Sequence, residues 1–182
     1  MLTPKDLIEI YCRKITGRDL LYYQKEYDDL AIHYSFDVHP LQYYLDMPVE
    51  FWRPYWDNIV KVCQVIANNQ ENFNMQEWHC GSTHCLAGWA QCLSEPKKVY
   101  GTINYLYHYF EPNKLYKKRS KADLFSSDIV RDAVIFLSPV MAPFFYLSGR
   151  SSEMMDEFIL PVASMYQSKN RHTNETPTRI LP

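Results

Sequence analysis

The stretch RPYWDNIVKVCQVIANNQ, residues 53–70, constrains the fold more than any other. Trp56, Ile59, Cys63 and Ile66 recur at steps of three and four, the repeat that brings side chains onto one face of an α-helix. Pro54 is expected to open this helix, because a proline in the first turn loses no internal hydrogen bond. The Asn-rich ANNQENFN is expected to close it. On the stripe, Cys63 reads as a small core residue. A helix with one apolar face is stable only against other elements, so the fold depends on what the rest of the chain supplies.

It supplies more helices. LTPKDLIEIYCRKITG carries helix signals in order: Thr3 to cap, Pro4 at the first position, Asp6 at the positive end and Gly17 to stop. Leu7, Ile8, Ile10, Tyr11 and Ile15 give it a buried side. A second helix is expected through RDLLYYQKEYDDLAIHY, with Leu20, Tyr23, Tyr27 and Leu30 inward. SFDVHPLQYYLDMP, broken by Pro40 and Pro48, is expected to be irregular. Ile103, Leu106, Tyr107 and Phe110 make another helical stripe, and the run from Lys114 to Lys121 reads as solvated surface. SSDIVRDAVIFLSP predicts a helix with Ile129, Ala133, Phe136 and Leu137 inward, ended by Pro139. After a turn at Pro143, Ser151 or Ser152 is expected to cap a helix carrying Met154, Met155, Phe158 and Ile159. Strand signal is thin. The expected fold is mainly α: a single compact helical domain over residues 1–166, with little or no β-sheet and a polar, loosely held tail at 167–182.

Composition narrows the function classes. A net charge of −2 and a pI of about 6.3 lack the basic footprint of a nucleic-acid binder. No basic-plus-apolar leader opens the chain, and no apolar run approaches the ~18 residues of a membrane span. Five cysteines, odd in number and clustered, do not resemble a secreted disulfide framework. A cytoplasmic protein with reduced thiols, without cofactor, nucleic acid or membrane partner, is the expectation. Fifteen tyrosines in 182 residues suit either a half-buried rim around the core or a recognition surface. Tyr43, Tyr44, Trp52, Tyr55, Tyr105 and Tyr107 are the candidates for such a surface.

The densest chemistry lies in EWHCGSTHCLAGWAQC, residues 77–92. If Ser82 or Thr83 caps a helix through HCLAGWAQCL, then Leu86, Trp89, Ala90 and Leu93 share its core face. Cys85 would sit in the first turn, where unpaired N–H groups and the helix dipole favour a thiolate. Such a thiol could serve a Cys–His hydrolase or transferase, with Cys85 or Cys80 as nucleophile, His108 or His84 as base, and Asn113 or Asp128 as remote orienter. A metal staple would draw on His79, Cys80, His84 and Cys85, although neighbours along a helix diverge by about 100° and seldom reach one ion. The plainest reading makes the cysteines, Cys92 included, small packing residues, Trp78 and Trp89 core anchors, and the histidines capping or surface groups.

WHCGSTHCLAGWA resembles a pattern, roughly W-H-x-C-[GE]-T-x-H-C-x-A-G-W-A, of uncharacterised bacterial and bacteriophage proteins, some attached to pentapeptide-repeat regions. APFFYLSGRSSEMMDEFI is similar to a second piece of that pattern, so the resemblance spans about residues 73–160. It is specific at Cys80, Cys85, Ala87, Gly88 and Trp89. Ser82 replaces the usual Thr, and one residue is missing between His79 and Cys80. The resemblance implies a shared small helical domain and a phage or mobile-element setting, and it implies no activity. Together these features lead to the expectation of a small accessory protein that binds a protein partner through an aromatic-rich surface. The thiol enzyme and the metal-stapled module stand as rivals, and the oligomeric state is left open.

Overall fold

Thr3 closes a reciprocal cap on the first helix. Its hydroxyl accepts the Asp6 N–H at 3.2 Å, and its own N–H donates to the Asp6 carboxylate at 2.6 Å, an arrangement that stabilises a helix end by about 0.5–2 kcal/mol. Helix α1 (Pro4–Glu9) runs on as a π-helical stretch over Ile10–Thr16 and stops at Gly17. Gly17 has φ 64°, a left-handed conformation that a side chain would strain. The computed structural model describes residues 1–33, 39–76, 78–80, 83–94 and 126–171. The helix expected around 103–110 and the lysine run at 114–121 lie outside the described residues.

Mainly helical architecture, expected from the periodicities, is what forms. Helices α2 (Leu20–His33), α3 (Leu41–Leu45) and α4 (Val49–Ala67) precede a two-stranded antiparallel pair, β1 (His79–Cys80) and β2 (Thr83–His84). Helices α5 (Leu86–Leu93) and α6 (Ser126–Leu137) follow, then a 3-10 segment over Pro139–Tyr146. The last helix is composite: α7 (Ser151–Met154), a π-helical stretch at Met155–Ile159, and α8 (Leu160–Arg171).

Helix α4 is the axis of the core. Its Trp56, Ile59, Cys63 and Ile66 are buried, as their spacing predicts, and α5, α6 and α8 pack around it. Burying side chains of this size stabilises by roughly 1.5–3 kcal/mol each. Asn58 fastens α4 to the end of α6 by donating to the Phe136 carbonyl at 2.9 Å. The two π-helical stretches lie against each other, and Tyr11, Phe144 and Phe158 meet beneath them at ring separations of 5.1 and 5.2 Å. Arg150 donates to the Ile15 carbonyl at 2.6 Å, binding the start of the last helix to the end of the first.

Four local expectations are corrected. Helix α4 begins at Val49, so Pro54 is interior; it withholds one N–H that would face the Glu50 carbonyl, and the buried Trp52 and Tyr55 offset that loss. Residues 41–45 are helical rather than irregular, because Leu41 and Tyr44, three apart, both reach the core. Leu20 is exposed, although Tyr23 and Tyr27 are buried as expected. The last helix is not capped by Ser151 or Ser152: Arg150 holds the cap position, and the Ser151 hydroxyl instead accepts the Met75 N–H at 2.9 Å.

Helix α6 ends in a strained residue. Ser138 has φ 91° and ψ 144°, is fully buried, and is the positive-φ residue other than glycine among those described. It redirects the chain so that the Val140 carbonyl receives the Tyr23 hydroxyl.

Candidate functional site

The cysteine motif forms a corner where the hairpin meets helix α5. His79 pairs with His84 and Cys80 with Thr83 across the two short strands. The corner is pinned from two sides: the Asn74 N–H donates to the His84 carbonyl at 3.1 Å, and the Cys85 N–H donates to the Trp78 carbonyl at 3.4 Å. With His84 held in the strand, the helix cannot begin at Ser82 or Thr83. It begins at Leu86, and Cys85 itself is the cap, its sulfur accepting the Gly88 N–H at 3.4 Å.

That position sets Cys85 among the packing residues. The residue is fully buried within the hydrophobic core. Burial pushes its thiol above the usual range, against the N–H groups of Gly88 and Ala87 that pull the other way. Desolvating a thiolate outweighs the helix-end donors here, so the structure does not give the lowered pKa of an activated nucleophile. His84 lies beside the corner, its ring edge-on to Trp89 at 5.0 Å. His108 and Asn113 lie outside the described residues, and Asp128 falls in the first turn of α6. Among the described residues no group of three His, Cys, Asp or Glu side chains is placed to hold a metal ion.

The packing roles divide along α5. Leu86, Ala87, Gly88 and Ala90 are buried, and Trp89 and Leu93 are half-buried against the core. Trp78 meets Tyr146 edge-on at 5.4 Å. Cys92, expected to pack, is exposed, roughly 200° around the helix from the buried Ala90. Gln91 ties the two helices together by donating to the Asp132 carboxylate at 2.9 Å.

The aromatic candidates separate into core and surface. Tyr44, Trp52 and Tyr55 are buried, not exposed, because the phase of α3 and α4 turns them inward. Trp52 satisfies its indole N–H at the Leu2 carbonyl, 2.8 Å away. Tyr43 is 50 % exposed, with the His39 ring 4.1 Å from its own and Tyr44 at right angles behind it. Val49 and Phe51, at the start of α4, are also about half exposed. Two positions apart on a helix, these residues point about 160° away from each other. Tyr105 and Tyr107 lie outside the described residues. No helix among the described residues is long and apolar enough to cross a membrane.

Comparison with known protein families, curated proteins and solved structures finds no match.

Proposed function

We propose that this chain is a cytoplasmic accessory protein that binds another protein through a surface centred on Tyr43. The supporting observation is the placement of Tyr43: a large ring, half exposed, already braced by His39 and Tyr44. A ring held this way loses little freedom on binding, and tyrosine is among the residues that dominate interface energies. Cys12, Cys63 and Cys85, buried as free thiols, fit a reducing compartment. The motif at 77–92 then serves as scaffold, and its resemblance to bacterial and bacteriophage sequences supports a phage or mobile-element setting.

The test is proximity labelling in the native cell with the full chain and with a Tyr43→Ser variant. The reading predicts a defined partner that disappears from the variant while the variant keeps its helical signal and its unfolding midpoint. An identical partner set from both proteins would remove Tyr43 from consideration.

A further inference from the structure

Helix α2 carries a second face. Tyr23, Tyr27 and Leu30 turn one side of it toward the core. At about 100° per residue, Leu21, Lys25, Asp28 and Ile32 fall within roughly 60° of one another on the opposite side. All four are exposed, Leu21 and Ile32 at 78 % each. The order along the stripe is apolar, positive, negative, apolar.

That order is complementary to its own reverse. When a second copy of the helix is laid antiparallel about a two-fold axis between Glu26 and Tyr27, Leu21 meets Ile32 of the second copy. In the same register Lys25 meets Asp28 of the second copy, and the axis repeats both pairs. A parallel alignment would instead set lysine on lysine and aspartate on aspartate. Self-complementarity under a two-fold axis is what an isologous dimer interface requires. Gln24 orients the Asp28 carboxylate from within the helix, donating to Oδ1 at 2.8 Å.

We propose that α2 is a self-association surface whose occupant is the antiparallel α2 of a second copy of this chain. It is a different face from the one that bears Tyr43 and does not rest on the partner reading. A helix of 14 residues, about 21 Å long, offers one narrow stripe. The area is small against the ~1,200 Å² of a stable interface. The dimer is therefore weak, concentration-dependent and loosened by salt, which screens its exposed charge pairs.

Charge reversal tests the register. Light scattering on the full chain at low salt, from micromolar to millimolar, is expected to show the mass rising from 21.7 kDa toward twice that value. Lys25→Asp or Asp28→Lys alone turns both cross-axis attractions into repulsions and is expected to weaken association roughly tenfold. Lys25→Asp with Asp28→Lys restores opposite charges across the axis and is expected to restore association; circular dichroism verifies that each variant stays helical. Leu21→Ser with Ile32→Ser is expected to leave monomers. A wild-type chain that stays monomeric throughout, or a double reversal no better than the single ones, overturns the proposal.

Discussion

Replacing Ser138 with glycine should stabilise the protein, which few substitutions at a fully buried position do. At φ 91° and ψ 144° its Cβ is held in a region that glycine occupies freely, and strain of this kind costs about 1–3 kcal/mol. Glycine relieves it but adds about 0.5–1 kcal/mol of backbone entropy to the unfolded chain. It also removes the hydroxyl that accepts the Val140 N–H at a long 3.3 Å, a loss of only a few tenths, ~0.3 kcal/mol, when glycine stands at a cap. The balance is a gain of about 1 kcal/mol, or roughly 2–4 °C in Tm for a chain of this size. Ser138→Ala is the control, since it keeps the strained Cβ and loses the hydroxyl; it should cost about 1 kcal/mol. Urea and thermal unfolding of the three proteins reads both. If glycine destabilises as much as alanine does, the backbone at Ser138 is not strained and the turn after α6 is held by something else.

Three further outcomes follow from the core. Burial raises the pKa values of Tyr11, Tyr23, Tyr27, Tyr55 and Cys63. Each stays neutral when folded but ionises when unfolded near its ordinary value, about 8.5 for cysteine and about 10 for tyrosine. The stability they contribute is whole below those values and is lost as pH rises through them toward the folded-state pKa values; urea midpoints measured up the alkaline range should fall from about pH 9. Cys85→Ala removes the sulfur that accepts the Gly88 N–H and should lower stability by about 0.5–2 kcal/mol, read as a shifted urea midpoint with unchanged slope. Trp52→Phe leaves the Leu2 carbonyl without its indole donor. It should cost about 1–3 kcal/mol in thermal unfolding.

Legibility in the sequence tracked how local the physics was. Helix α1 could be read because Thr3, Pro4, Asp6 and Gly17 all act within one turn of themselves. The stripe of α4 could be read because its period needs no partner to be seen. The start of α4 could not: a proline at its sixth position looks like a beginning, and only the burial of Trp52 against Leu2, fifty residues away, shows why the helix extends back to Val49. Tyr44, Trp52 and Tyr55 face the core, against the surface expected for them, for a related reason. An aromatic residue suits core and surface equally, and the choice depends on distant packing partners: Tyr44 meets Tyr27 of α2 and Trp52 reaches Leu2. At Cys85 the helix-end N–H groups favour the thiolate, as the sequence suggests. The term that prevails is desolvation, which comes from the surrounding core and has no local signature.

The cysteine motif is a structural corner with a buried thiol at its cap. Alkylation of the native protein at neutral pH, with the modified sites located by mass spectrometry, tests it directly. Cys92 is exposed and should react, whereas Cys85, fully buried, should react only after unfolding. Native Cys85 alkylating faster than Cys92 would contradict the account and return the motif to the thiol enzymes.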